Sequence, residues 1–258
     1  RILIANRGEI ALRVIRACKE LGIQTVAVYS DADKDSLHVT LADSAIHIGP
    51  ALSSKSYLNQ EAILDAIRQS GADAVHPGYG FLSENAGFAK ACQDLGVTFI
   101  GPSAESISRA GDKSSARKAL MTLGIPVIPG SDDVIISVDM ACEVAKDVGF
   151  PVILKASGGG GGRGMRIANN EAELVQAFDM ASGEARAAFG NPDIYLEKYI
   201  ENPRHIEIQV IGDTHGYIIY LGERECSIQM RYQKLIEEAP SSFVDDELRQ
   251  ELGQTAVK

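Results

Sequence analysis

The amino-acid sequence predicts an α/β protein, with a doubly wound parallel sheet over the first part of the chain and an α+β region after it. Three observations carry that expectation. Apolar runs of strand length alternate with amphipathic stretches of helix length from Ile2 to Ile100. A glycine run, Gly158–Gly162, separates two apolar runs further on, as a hairpin does and a helical crossover does not. Finally, 258 residues with 45% hydrophobic content and no biased tract provide material for more than one core.

In order along the chain, Ile2–Ala5 reads as a strand and Glu9–Leu21 as a helix, with Ile10, Leu12, Val14, Ile15 and Cys18 on or near one face. Thr25–Tyr29 returns as a strand, completing a βαβ unit. Further strands are predicted at Ala45–Ile48, Ala74–His76 and Thr98–Ile100, and helices at about Leu58–Ser70 and Asn85–Leu95. Two loops are richer than a connection requires. Asn6-Arg7-Gly8-Glu9 follows the first strand, where such sheets bind ligands, although a capped helix start would account for it equally well. His76–Asn85 is punctuated by glycines, with Ser83 or Asn85 able to cap the next helix, while His76 by itself reads as structural.

Gly101–Leu123 carries two helical patterns broken near Gly111, and a proline-containing connector, Gly124–Gly130, follows. A domain boundary is expected between Gly111 and Pro129. Ser137–Val148 is an amphipathic helix feeding a strand that ends at Lys155, and Glu171–Phe189 is another after the glycine run. Packed on one face of a small antiparallel sheet, they would make an α+β lid. Two strand-like runs around a turn at Glu201–Arg204 come next, and the acids from Asp245 onward read as a solvated helix start.

Composition narrows the function classes. A formal net charge of −10 with no basic run argues against nucleic acid or an anionic membrane surface as partner. Cys18, Cys92, Cys142 and Cys226 form no C-x-x-C pair, so they read as buried thiols in a reducing compartment rather than a disulfide or zinc framework. No signal peptide or apolar run of membrane-spanning length is present. Arg1 leads directly into an apolar run and the last residues stop inside a helical pattern, so these residues are expected to lie within a longer protein.

The glycine run is the chemical centre of the sequence. Val152, Ile153 and Leu154 are strand formers, and Gly158–Gly162 exposes backbone N–H groups with no side chains in the way of a polyphosphate. Lys155, Arg163 and Arg166 add positive charge. A P-loop is excluded, because Gly162 is followed by Arg163-Gly164-Met165 rather than Lys and Ser or Thr. Gly159, Gly161 and Gly164 spell the dinucleotide pattern, yet a strand rather than a helix follows them. A glycine-rich flap closing over nucleotide phosphates remains.

FPVILKASGGGGGRGM, residues 150–165, resembles the phosphate loop of ATP-grasp ligases in the form found in biotin carboxylases. IANRGEIALR, HPGYGFLSEN and FIGPS, ahead of it in this order, resemble the amino-terminal domain of the same family. The resemblance implies a Rossmann-like pre-ATP-grasp domain at 1–111, a linker helix and connector at 112–129, an ATP-grasp lid at 130–200 and the start of the second ATP-grasp subdomain at 201–258. It also implies site residues. Lys113, Lys155, Gly161, Gly162 and Met165 would attend the nucleotide phosphates and flap, and Glu197 would accept from the adenine amino group. Backbone groups of Lys198, Tyr199 and Ile200 would bond the ring edge, with His205, Gln229 and Tyr232 as further nucleotide positions. Lys234 is the implied catalytic residue, holding bicarbonate and the carboxyphosphate formed from it.

Departures from the family's Q-R-R-H-Q-K pattern are Met230 for the first arginine and Tyr232 for the histidine; tyrosine cannot become cationic near neutral pH. The implied reaction is phosphoryl transfer from ATP to bicarbonate, followed by carboxylation of biotin on a carrier protein. ATP, magnesium and carried biotin are the implied cofactors, with no metal ligand within these residues, since the family's magnesium-binding acids are expected beyond Lys258. Implied partners are a biotin carboxyl carrier and a carboxyltransferase, together with further copies of the chain in a homo-oligomer. The implied location is the cytoplasm, or the mitochondrial or plastid matrix in a eukaryote. Two other readings stand beside this one: another ATP-grasp ligase, such as a carbamoyl phosphate synthetase, and a nucleotide-binding module without catalysis.

Overall fold

The computed structural model describes residues 1–111, 113–156, 165–189, 192–230 and 233–258, without the side chains of 113–115 and 188–189. Gly161, Gly162 and Tyr232, and the side chain of Lys113, therefore lie outside the described residues. The chain divides into two units, Arg1–Asp112 and Lys113–Lys258.

The first unit runs β1 (Ile2–Ile4), α1 (Gly8–Glu20), β2 (Thr25–Ser30), α2 (Leu37–Leu41), β3 (Ser44–Gly49), α3 (Gln60–Ser70), β4 (Ala74–His76), α4 (Ala86–Asp94), β5 (Thr98–Phe99) and α5 (Ala104–Gly111). All neighbouring strands are parallel, in the order β3-β2-β1-β4-β5. Because side chains alternate along a strand, Leu3 enters one core with Val26, Val28, Val75 and Phe88, while Ile4 enters another with Val14, Ile15 and Cys18 of α1. Both sheet faces are thus covered, as a parallel sheet requires.

Caps follow the local chemistry. Asn59 and Asn85 accept from the amides of Ala62 and Phe88 to start α3 and α4, and Gly71 ends α3 in the left-handed region at φ 61°. The start of α1 is different: Arg7 makes no side-chain cap, which removes the capped-helix explanation of Asn6–Glu9. The sequence gives no sign of α2, because five residues are too short to display a period.

The second unit runs α6 (Lys113–Thr122), α7 (Val138–Val148), β6 (Val152–Ala156), β7 (Arg166–Ala168), α8 (Glu171–Phe189), β8 (Ile194–Lys198), β9 (Ile206–Gly212), β10 (Ile218–Met230), β11 (Gln233–Glu238) and α9 (Asp246–Val257). It contains two antiparallel sheets, β7-β6-β8 and β11-β10-β9. The strand-like runs flanking 201–204 therefore part company, one joining each sheet. Ala141 and Ala145 of α7 and Ala177, Ala181 and Ala185 of α8 pack on Val152, Leu154, Ile194 and Leu196. Small helix residues let the helices approach closely, so the sheet's branched side chains fill the interface.

In β10 the alternation decides the layout of the second sheet. Glu223 and Glu225 are buried, and Arg249 of α9 reaches Glu223 at 2.8 Å, whereas Arg224 points to the opposite face. No helix among the described residues is long and apolar enough to cross a membrane.

Candidate functional site

Antiparallel pairing of β6 with β8 sets Lys155 opposite Tyr195 and Glu197 opposite Ile153. Lys155 and Glu197 are therefore diagonal neighbours on one face, and Lys155 Nζ donates to Glu197 Oε2 at 2.5 Å. Their side chains are 33% and 24% exposed, so the pair is accessible from one side yet shielded enough for its charges to matter. The lysine and the carboxylate assigned to opposite ends of a nucleotide meet here directly.

The other edge of β8 is clipped by the connector. Ser131 N–H donates to Leu196 O at 2.8 Å and Lys198 N–H to Pro129 O at 2.7 Å. Gly130 sits between them because an added Cβ would stand 2.4 Å from Leu196 O, a distance no side chain tolerates. Tyr199 N–H donates to Pro151 O at 3.0 Å. Of the backbone groups from Lys198 to Ile200 expected to serve a ring edge, two amides are thus already donated within the protein. The amides of Lys198 and Tyr199 are engaged in holding the hinge, and Ile200, 47% exposed, is the residue of the three whose main chain has no protein partner among the described residues. The Lys198 side chain also faces inward, donating to the carbonyls of Gly149 and Phe150.

His205 and Gln229, 24 residues apart, are brought together by the β9–β10 pairing. Gln229 Nε2 donates to Cys226 O at 2.9 Å, which fixes the orientation of the amide. The same nitrogen lies 2.7 Å from His205 Nδ1, so that ring atom must accept and the proton of the neutral ring resides on Nε2. Among the described residues Nε2 has no protein partner, leaving an N–H donor for a ligand oxygen. Met165 is partly exposed and its carbonyl accepts from Arg166 at 2.9 Å.

Gln229 is paired directly with Lys234 across the β10–β11 ladder. Lys234 Nζ donates to Glu207 Oε2, and Arg224 reaches the other oxygen of Glu207 at 2.5 Å. Burial opposes ionisation of Glu207, but the bonds from Lys234 and Arg224 outweigh it and hold the carboxyl below its ordinary range. Lys234 is raised above its ordinary range by the bond to Glu207 and remains a cation.

Glu207, Cys226 and Glu237 could place ligand atoms within 4.8 Å of one another. The group does not fit magnesium, a hard cation that prefers oxygen, because one ligand is a buried thiol and Glu207 already faces two cations. Sequence reasoning missed Glu207, although the alternation of His205, Glu207 and Gln209 along a strand was a signal for one polar face.

In the first unit the two glycine-bearing loops are tied together. Buried Asn6 donates from Nδ2 to Pro77 O and to Tyr79 O, each at 2.8 Å. Gly78, at φ 65°, is required there because a Cβ would lie 2.8 Å from Asn6 Nδ2. His76 Nδ1 accepts from Gly78 N–H at 3.0 Å, and burial lowers its pKa, in keeping with a structural histidine.

The family model for the biotin carboxylase N-terminal domain matches residues 1–107, and the model for the carbamoyl-phosphate synthase L chain ATP binding domain matches residues 112–258. Biotin carboxylase 1 of Bacillus subtilis is 55% identical over 258 residues, which are 100% of this chain and 57% of that protein. The biotin carboxylase of Haemophilus influenzae is 58% identical over 255 residues, 98% of this chain and 57% of that one. A biotin carboxylase–β,γ-ATP complex from Campylobacter jejuni superposes with a TM-score of 0.93 at 53% identity, covering 99% of this chain and 57% of that one. The biotin carboxylase domain dimer of the Hydrogenobacter thermophilus 2-oxoglutarate carboxylase, solved with MgADP, ADP and bicarbonate, gives 0.91 at 52%, covering 99% and 56%. The chain thus spans a little over half the length of the relatives it matches.

Proposed function

The chain belongs to the biotin carboxylase family, and on that footing we propose that it is the amino-terminal part of an ATP-dependent ligase that carboxylates biotin on a carrier protein. Residues 1–111 are assigned as the pre-ATP-grasp domain, 112–129 as linker and connector, 130–200 as the lid and 201–258 as the start of the second ATP-grasp subdomain.

The direct pairing of Gln229 with Lys234 carries this reading. Side chains opposite each other in an antiparallel ladder stand about 5 Å apart. A nucleotide contact and a bicarbonate lysine at these two positions would bring the terminal phosphate and the bicarbonate oxygen within reach of each other, as phosphoryl transfer requires. His205 supplies an N–H donor to the nucleotide, and Lys234 offsets negative charge on bicarbonate. The flap, Lys113 and Lys155 attend the phosphates, while the Glu197 carboxylate and backbone groups of Lys198, Tyr199 and Ile200 address the adenine. Magnesium, when bound, offsets charge between the β- and γ-phosphates, and its ligands are assigned beyond Lys258.

A carbamoyl phosphate synthetase is the disfavoured reading, since the relatives at 55–58% identity are named biotin carboxylases. Partners are then a biotinylated carrier, a carboxyltransferase and a second copy of the chain, in the cytoplasm or an organelle matrix. The test is bicarbonate-dependent ADP release by the full-length protein with magnesium, ATP and free biotin. Release that requires both bicarbonate and biotin, and is lost in Lys234→Gln, supports the assignment. Release indifferent to bicarbonate refutes it.

A further inference from the structure

We propose that Glu225 is a positioning residue of the nucleotide site: its carboxylate, acting through Ser227 and Arg204, fixes the main chain of His205 and so the direction of the outward Nε2–H. The proposal rests on the reading of His205 as a nucleotide contact.

The turn between β8 and β9 has no regular structure of its own to hold it, and Asn202 adopts φ 50°, a left-handed conformation costly for a side-chain-bearing residue. The tethers of this turn converge on Glu225. Ser227 Oγ accepts from His205 N–H at 2.9 Å and its hydroxyl donates to Glu225 Oε1. Arg204 Nη1 stands 3.6 Å from the same oxygen, with its guanidinium 4.5 Å over the ring of Phe243. Ser241 Oγ donates to Oε2 at 2.5 Å, so the carboxylate also ties in the segment before α9. Cys226 N–H donates to His205 O at 2.7 Å, completing the hold on both main-chain groups of residue 205.

Glu225 is only 6% exposed. A charge so placed needs every partner it has, and a hydrogen-bonded carboxylate behind a contact residue is a usual means of aiming that residue. On the other face of β10, the bond from Gln229 aims the ring itself. Main chain and ring are therefore fixed from separate sides.

The test is a double-mutant cycle in the full-length protein, with ATP affinity read by titration calorimetry and folding by thermal melts. Glu225→Gln should weaken ATP binding about 3- to 10-fold, the scale of one lost hydrogen bond. In a His205→Ala background the same change should have no further effect on ATP, because the aimed group is gone, while its effect on melting should persist. Should Glu225→Gln fail to fold, Ser227→Ala removes the same link and enters the same cycle. Weakening by His205→Ala but not by the Glu225 or Ser227 variants overturns the positioning role alone, as does full additivity. No effect of His205→Ala on ATP overturns the reading of His205 and the positioning role with it.

Discussion

Replacing Lys155 with Gln tests the lid half of the site, because its two consequences differ in size. The first is structural. The Lys155–Glu197 pair is about one-third and one-quarter exposed, and glutamine can still donate to the carboxylate, so the stability cost should be at most about 1 kcal/mol. For a domain of this size that is a shift of roughly 2–4 °C in melting temperature. The second is functional. Losing one charge-assisted contact to a phosphate costs about 1.5–3 kcal/mol, or roughly ten- to a hundredfold in the apparent affinity for ATP. ADP release measured against ATP concentration, with bicarbonate and biotin saturating and a melt on the same preparation, separates the two. A large rise in KM for ATP with a nearly unchanged melt is the expected outcome. An unchanged ATP dependence would refute the reasoning, and a melt lowered in step with activity would show that the pair serves the fold.

Three further outcomes are expected. Gly130→Ala drives a methyl group into Leu196 O and Glu197 Cα, so it should cost about 1–3 kcal/mol in chemical denaturation and weaken ATP binding by displacing β8. Burial, and then the hydrogen bond to Asp33, push the Tyr57 hydroxyl up to about 12. Its contribution is whole below the unfolded value of about 10 and is lost as pH rises through the folded value. Denaturation at intervals from pH 9 to 12 should therefore show a steeper alkaline loss in the parent than in Tyr57→Phe; equal slopes would count against it. Tyr232→His should make ATP affinity vary with pH near the histidine range, as ATP titrations at low and neutral pH would reveal.

Legibility in the sequence depended on the range of the interaction. The parallel strands and the helices Val138–Val148 and Glu171–Phe189 carry local periods, and each forms within a residue of its expected bounds. The long antiparallel strands Ile218–Met230 and Gln233–Glu238 were legible only as a chemical motif, because buried acids in the first, Glu223 and Glu225, and exposed apolar residues in the second, Leu235 and Ile236, blur the two-residue period. Lys155 and Glu197 were each singled out, yet their contact depends on a register 42 residues long that no local pattern encodes. The amides of Lys198 and Tyr199 show the same limit from the other direction. A motif names the residues at a hinge, but which of their N–H groups remain available is decided by Pro129 and Pro151, far upstream.

The arrangement of Gln229 against His205 places a constraint on which substitutions the chain can accept over generations. Glutamate at 229 would preserve size and shape, but as a pure acceptor it would draw the imidazole proton onto Nδ1. The neutral ring would then turn a lone pair outward from Nε2, and the carboxylate would face Cys226 O, an acceptor to which Gln229 now donates, so the side chain could not keep its place. Lysine would keep the donor at 229 but add a charge beside the neighbouring Lys234. Position 229 is thus bound to the proton's place on His205 as well as to Cys226 O, and drift at 205 and 229 is free only when donor and acceptor are exchanged together.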